Sequence, residues 1–363
     1  MSLLFRQLFD QSSGTYTYLL ADVESRQALL IDCVYEQHDR DLSLLRELEL
    51  TLLACIETHC HADHVTGAWL MKHALGAQII AATSSGIATL DRSLRDGNMV
   101  AFGKRRLSVL ETPGHTDGCI SLVLDDRSAV FTGDSLLIRG CGRTDFQQGS
   151  AQKLFHSIKD KLFQLPDACI VYPAHDYSGR TVSTIGEEKR LNPRIGGEAN
   201  ETDFVGYLDN MRLPHPKKLD IAVPANLKAG RPNYDQVPKV PEWGPVVTTY
   251  SGIVEISPQW VAGHADEVHI LDVRTKHETG EEQTRIKHAQ LIPIDELRDR
   301  LIEVPKDKPV MTLCRSGKRS VLAFTILRDA GWTAVASIQG GLLRWQAEGL
   351  ETALDRFAPN QTH

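Results

Sequence analysis

Short apolar blocks separated by turn residues open the chain, and the spacing inside each block sets the element it predicts. Tyr16-Thr17-Tyr18-Leu19-Leu20 and Gln27-Ala28-Leu29-Leu30-Ile31-Asp32 read as strands, with Ser12-Ser13-Gly14 as a turn. Leu42, Leu44, Leu45 and Leu48 fit a helix over 36–48, and Leu52-Leu53-Ala54-Cys55-Ile56-Glu57 is a strand. A helix over 65–75, a strand over 77–82, a strand pair within 99–111, and strands at 120–124 and 129–132 follow. Between 200 and 248 the pattern lapses. Pro214, Pro216, Pro224, Pro232, Pro238, Pro241 and Pro245 rule out a regular element, so this stretch reads as extended chain, packing first on what precedes it and then serving as a linker over 231–250. Near 252 a new alternation begins: strand 268–273, helix 294–302, strand 309–313, helix 319–330, strand 334–338 and helix 342–348. Strands alternating with helices predict a small parallel α/β domain over 251–356, behind a first domain over 1–230.

A length of 363 residues exceeds what one core usually holds and agrees with two domains. With 42% apolar and 24% charged residues, the composition is that of a globular protein with sizeable cores. A net charge of −7 without a basic run argues against nucleic acid or an anionic membrane surface, which leaves small molecules as the expected partners. The first nine residues carry no signal or transit pattern, and no run of about 18 apolar residues is available to span a membrane. Seven cysteines, an odd number with no CxxC pair, fit a reducing compartment. A cytoplasmic location is expected, and a homo-oligomer is left open.

The densest chemistry is Thr58-His59-Cys60-His61-Ala62-Asp63-His64, just past a strand end. His115 and Asp134 also follow strands, so three strand ends are expected to converge on one metal. His59, His115 and Asp134 would supply two imidazoles and a carboxylate, the set of non-haem Fe(II) oxygenases, with positions left for O2 and substrate. His61, Asp63, His64 and His175 could build a second metal site, and ligand spacing alone does not choose between one ion and two. His73 and His156 stand alone and read as ordinary side chains.

These residues resemble the metallo-β-lactamase superfamily, with its HxHxDH signature and αββα sandwich. The segment from Phe131-Thr132-Gly133-Asp134 through Gly140-Cys141-Gly142-Arg143-Thr144-Asp145-Phe146 to Gly149 looks like the persulfide dioxygenase branch, the ethylmalonic encephalopathy protein family. Asn192-Pro193-Arg194 and Ala222-Val223-Pro224-Ala225-Asn226 extend the likeness to about residues 3–230. The resemblance implies one Fe(II) per chain on His59, His115 and Asp134, with His61, Asp63, His64 and His175 as unused superfamily ligands that orient groups and exchange protons. It implies oxidation of glutathione persulfide by O2 and water to sulfite and glutathione, which suits the softness of a persulfide sulfur toward Fe(II). Arg143, Arg180 and Arg194, with Tyr177, are the candidates for holding glutathione, because cations suit its two carboxylates. Ser178 stands where the family often has a histidine.

A second signal is Cys314-Arg315-Ser316-Gly317-Lys318-Arg319-Ser320, between an apolar strand and a helix. A thiolate there would see helix N–H groups and the cations of Arg315, Lys318 and Arg319, with Gly317 letting the loop wrap so that its amides turn inward and Ser316 a further member of the loop. The other six cysteines, Cys33, Cys55, Cys60, Cys119, Cys141 and Cys169, read as packing residues. With Leu271-Asp272-Val273-Arg274 and Gln339-Gly340-Gly341-Leu342-Leu343-Arg344-Trp345, the loop looks like a rhodanese domain, and its six-residue length is that of a sulfurtransferase rather than a phosphatase. Thr284-Arg285-Ile286-Lys287-His288-Ala289 departs from that family's usual Gly-His-Ile. The resemblance implies sulfur transfer through a Cys314 persulfide between thiosulfate and glutathione, with sulfite as partner, in either direction. The competing readings are a glyoxalase II-like binuclear zinc thioester hydrolase with an appended sulfurtransferase, and a C-terminal domain that binds persulfide without turnover.

Overall fold

Strand β2 (Thr15–Asp22), which pairs with β1 (Leu3–Asp10), is buried along its whole length, and its alternate side chains enter two different cores. Tyr18 and Leu20 face one core, Leu19 and Ala21 the other, and Leu29 and Ile31 against Ala28 and Leu30 repeat the alternation on β3 (Gln27–Ile31). With β4 (Thr51–Ile56), β5 (Gln78–Ala82) and β6 (Arg92–Leu94) these strands form a sheet in sequence order. A second sheet runs β7 (Met99–Phe102), β8 (Arg105–Glu111), β9 (Ile120–Leu124), β10 (Ala129–Gly133), β11 (Ile170–Pro173) and β12 (Ser183–Thr184). The two sheets share one core, in which Tyr18, Phe102 and Phe131 are fully buried, each worth roughly 1.5–3 kcal/mol.

Helices cover the outer faces. Leu44 and Leu45 of α1 (His38–Glu47) and Ala68 and Met71 of α2 (Ala68–Leu75) pack on the first sheet. Leu154 of α3 (Ala151–His156), Ile185 of α4 (Ile185–Leu191) and Phe204 of α5 (Glu201–Asp209) pack on the second. The layering is therefore helix, sheet, sheet, helix.

The described residues are 2–211, 213–214, 218–233, 241–279 and 284–354. Pro216, Pro238, residues 234–240 of the expected linker and 355–356 of the expected second domain lie outside them. The chain divides into two compact units, Met1–Val237 and Pro238–His363. The second is built on a sheet in the order β13 (Val247–Thr248), β14 (Val254–Ile256), β19 (Val335–Ile338), β18 (Val310–Leu313), β15 (His269–Asp272) and β17 (Gln290–Leu291), parallel except at β13; β16 (Thr284–Arg285) pairs separately with β20 (Ala353–Leu354). On one face, Leu271 and Val310 pack with Phe324 and Leu327 of α8 (Lys318–Asp329); on the other, Ile270 and Met311 pack with Val261 of α7 (Pro258–Gly263) and Trp345 of α9 (Gly341–Ala347).

Several elements depart from the sequence pattern. Two helices, α5 and α6 (Leu219–Asn226), lie where extended chain was expected. The counted prolines begin only after α5, whose start is closed by the Asn200–Asp203 capping box. Val247–Thr248, inside the expected linker, is an edge strand of the second sheet. The expected helix 294–302 is absent: successive i to i−3 bonds (Glu296 to Pro293, Asp299 to Glu296, Arg300 to Leu297) lead into a 3₁₀ turn at Leu301–Glu303. Ile294, Leu297 and Leu301 repeat at a spacing that such turns satisfy as well as a helix does. The helix expected from 65 starts at Ala68, because the residue 65 carbonyl and the residue 66 amide are bonded to Tyr35 and Asn226.

Candidate metal centre and thiol loop

Four strands of the first unit end at one edge of the sandwich, and each delivers polar residues there. The loop after β4 carries His59, His61, Asp63 and His64; His115 follows β8, Asp134 follows β10, and His175 follows β11. The two sheets come so close at this edge that a Cβ on Gly133, at φ +52°, would lie 2.7 Å from Oγ1 of Thr58.

His59, His115 and Asp134 come together with donor atoms within 4.8 Å of one another. Nε2 of His59 is 4.0 Å and Nε2 of His115 3.7 Å from Oδ2 of Asp134. The other polar atom of each side chain is already engaged. His115 Nδ1 donates to the Arg143 carbonyl at 2.7 Å, and His175 Nδ1 donates to Asp134 Oδ1 at 2.7 Å. Thr58 Oγ1 donates to Asp32 Oδ2 at 2.8 Å, which leaves its lone pair to accept from His59 Nδ1 at 3.0 Å. These bonds turn both Nε2 lone pairs and the free Asp134 oxygen into one shared space. Burial holds His59 and His115 below the usual imidazole range, so both are neutral and able to ligate near neutral pH. Burial alone would raise Asp134; the facing imidazoles, His175 foremost, outweigh it and keep the carboxylate ionised. The donor set fits a cation that accepts two imidazoles and one carboxylate.

His61, Asp63, His64 and His175 form a second group with donors within 4.8 Å, and within it Asp63 is bonded to His64 and His175. Asp63 Oδ2 meets His64 Nδ1 and His175 Nε2, each at 2.9 Å, and Thr15 Oγ1 lies 3.0 Å from His175 Nε2. Burial opposes charge on His175, yet Asp134 and Asp63 hold it well above its ordinary range. A third group, fully buried, is Asp32, Glu57 and His61. Asn226 fastens the whole loop by donating to the carbonyls of His61 at 2.9 Å and His64 at 2.8 Å.

The three donors open onto a cavity of about 280 Å³, walled also by Leu137, Ile138, Phe146 and Met211 and by all four expected carrier-binding residues. Each of those four has its own anchor. Arg143 binds Asp145 through two bonds of 2.6 Å and reaches the carbonyls of Leu213 and Pro214. Arg180 pairs with Asp176 at 2.9 Å, Arg194 donates to the Cys141 carbonyl at 2.7 Å, and Tyr177 stacks on His175.

In the second unit, Cys314 directly follows β18 and is buried, while Arg315, Ser316 and Lys318 are exposed. Its thiol donates to Ser320 Oγ at 3.7 Å. Gly317, at φ +90°, precedes α8, and the start of α9 grips the loop from behind: Leu342 N–H donates to the Cys314 carbonyl at 2.9 Å and Leu343 N–H to that of Arg315 at 3.0 Å. These two bonds take up the carbonyls of Cys314 and Arg315. Arg319 is committed to Glu278 through two bonds of 2.6 Å, so Arg315 and Lys318 are the loop cations without an ion pair among the described residues. Beside the loop lies a cavity of about 260 Å³ lined by Arg274, His277, Glu278 and Arg315.

Sequence reasoning passed over Asp32, Thr58, Thr15 and Glu278. Asp32 was visible as a carboxylate ending a strand, and Thr58 as the residue before the first histidine. Nothing in the pattern joins Glu278 to a helix 41 residues later.

A metallo-beta-lactamase superfamily model matches residues 13–175 and a rhodanese-like domain model matches residues 257–348. The mitochondrial persulfide dioxygenase ETHE1 of Homo sapiens is 52% identical over 229 residues, which are 63% of this chain and 89% of the human one. The crystal structure of ETHE1 from Myxococcus xanthus superposes with a TM-score of 0.61 at 49% identity, over 63% of this chain and all of that one. The hydroxyacylglutathione hydrolase of Brucella anthropi is 36% identical over 212 residues, 58% of this chain and 80% of its own.

Proposed function

This chain belongs to the ETHE1 persulfide dioxygenase family, within the metallo-β-lactamase fold, and carries a rhodanese-like domain behind it; on that premise we propose that it is a bifunctional enzyme of sulfane sulfur. The first activity, assigned to residues 1–230, converts glutathione persulfide, O2 and water to glutathione, sulfite and two protons, with the sulfane sulfur giving four electrons to O2. The observation that carries it is the aim of His59 Nε2, His115 Nε2 and Asp134 Oδ2 into one space, each locked from behind. One Fe(II) held by these three would supply the redox chemistry that lets O2 react with a closed-shell persulfide.

The chain's own residues do the rest. Leu137, Ile138, Phe146 and Met211 give the cavity an apolar wall. Arg143, Arg180, Arg194 and Tyr177 receive the carrier thiol, whose carboxylates compete for guanidinium faces now turned to Asp145 and Asp176. Asp63 and His175 share a proton at Oδ2 and Nε2 on the cavity wall, where protons leave with the product.

The second activity, assigned to 251–356 behind a linker at 231–250, is sulfur transfer. The Cys314 thiolate attacks the outer sulfur of thiosulfate and expels sulfite; glutathione thiolate then takes that sulfur, giving glutathione persulfide and restoring Cys314. A cytoplasmic setting goes with this reading, although the human relative's name places that protein in mitochondria. Among the described residues no helix is long and apolar enough to cross a membrane.

O2 uptake by anaerobically purified, iron-assayed protein on adding glutathione persulfide, with sulfite measured, tests the first activity. Uptake at about one iron per chain, lost in His115→Ala and kept in Cys314→Ser, is the expected outcome. The rival reading is a binuclear zinc thioester hydrolase, in which the second donor set would hold the other ion. Hydrolysis of S-lactoylglutathione by zinc-loaded protein, with no O2 uptake from the iron form, would establish that reading.

A further inference from the structure

Four ionisable side chains line the cavity beside the thiol loop: Arg274, His277, Glu278 and Arg315. Arg274 and Glu278 are fully engaged. Arg274 donates from Nε and Nη2 to Asp272 at 2.8 and 2.6 Å, and from Nη1 and Nη2 to the carbonyls of Glu278 and Thr284. Glu278 accepts from Arg319 through two bonds of 2.6 Å and from the Thr275 amide and hydroxyl at 3.0 Å each. The side chains of His277 and Arg315 are exposed and make neither a hydrogen bond nor an ion pair among the described residues. The 3₁₀ turn His277–Thr279 is nonetheless held in place, because Glu278 ties it to Arg319 in the first turn of α8. Bonds from Glu278 raise the Arg319 guanidinium, and the nearby Cys314 adds to the rise, so turn, guanidinium and thiol share one neighbourhood.

Discharge of a Cys314 persulfide requires a proton to move. Glutathione arrives as a thiol, and only its thiolate attacks sulfur. Of the four cavity groups, the two guanidinium ions do not give up a proton, and Arg319 holds the Glu278 carboxylate ionised, down to about 2. An imidazole both accepts and returns a proton near neutral pH. We propose that His277 is a catalytic residue of this discharge, taking the proton of the incoming thiol and returning it to the sulfur that leaves Cys314. The assignment rests on the sulfur-transfer reading above. In balance, glutathione thiol and Cys314–S–S⁻ give glutathione persulfide and Cys314–S⁻. A bond forms between the glutathione sulfur and the outer sulfur, the bond from that sulfur to Cys314 breaks with its electron pair kept by Cys314, and the proton ends on the transferred sulfur. No outside oxidant or reductant takes part.

Single-turnover transfer by the full chain, with O2 excluded, tests this. Thiosulfate is added and the released sulfite counted; after desalting, the sulfane sulfur remaining on the protein is followed by cyanolysis as glutathione is added. Wild type and His277→Gln are both expected to give a stoichiometric burst of sulfite, because thiosulfate brings no proton to remove. Discharge by His277→Gln at pH 7 is expected to be about 10–30-fold slower, a limit set by the few per cent of an ordinary thiol, pKa about 8.5, that is already ionised there. The gap should close above about pH 9, where the acceptor thiol ionises unaided. Equal discharge rates at pH 7, or a gap of the same size at every pH, overturn the assignment, and so does loss of the sulfite burst in the variant alone. Absence of the burst from wild type overturns the sulfur-transfer reading itself.

Discussion

His175 donates Nδ1 to Oδ1 of Asp134 at 2.7 Å and meets Asp63 with its other nitrogen at 2.9 Å, so a side chain outside the three-donor set decides where the free oxygen of Asp134 faces. Replacing it by alanine should leave the three donors in the chain but loosen their geometry. His175→Ala is expected to bind Fe(II) about 10–100-fold more weakly, in line with the loss of outer partners at metal sites, while retaining a folded far-UV spectrum. Competition with a chromophoric chelator measures this directly, and unchanged affinity would show that Asp134 needs no such support.

Thr58 sits between Asp32 and His59 and relays one hydrogen bond to each. Thr58→Val keeps the shape and removes the relay, freeing the His59 ring to turn and leaving an Asp32 oxygen short of a donor. The expected cost is ~1–3 kcal/mol in urea unfolding, with metal affinity lower by about tenfold. Thr58→Ser, which retains the hydroxyl, should restore affinity.

In the second unit, Gly341 has φ +61°, and a Cβ there would sit 2.4 Å from the Cys314 carbonyl oxygen. Gly341→Ala therefore forces the thiol loop off the start of α9 and misdirects its amides. Thiosulfate:thiol sulfurtransferase activity should fall on the order of 100-fold, with persulfide-dependent O2 uptake unchanged in the same preparation.

The Glu278–Arg319 pair carries a pH signature. Hydrogen bonds from Arg319 hold Glu278 down to about 2, against an ordinary 4.5. A carboxylate with a depressed folded-state pKa adds stability that is complete above its unfolded value and is lost as pH falls toward the folded one. Acid titration of wild type should thus show stability of the second unit declining between about pH 4.5 and 2, and Glu278→Gln should flatten that window. The same variant leaves Arg319 without its counter-charge beside the sulfur, and iodoacetamide labelling of Cys314 near pH 7 is expected to quicken several-fold.

The histidine loop, His115, Asp134 and Cys314 were legible because metal ligation and thiolate chemistry need rare residue types in short, ordered runs, and each run sits at a strand end marked by its own apolar block. The strands were legible as apolar blocks, whereas the layered sandwich was expected from the family resemblance alone, because β2 and β3 bury both faces and leave no polar alternation to read. What escaped was support that operates at a distance. Asp32 reaches Thr58 across 26 residues, and Glu278 reaches Arg319 across 41. Neither contact leaves a local period, and the carboxylates themselves look like any surface acid. The false helix at 294–302 has the opposite cause, a local period that two geometries share.

The three donors come from both sheets, His59 from the first and His115 and Asp134 from the second. Neither sheet alone owns a complete binding site, so a chain with only one half formed has nothing with which to capture the ion. Metal uptake then reports that the two layers have docked in register, and chelation should act on the cohesion of the sandwich before it acts on either layer by itself. An ion held there would in that sense be a clasp that closes only on the docked sandwich, and a misfolded chain would stay unmetallated.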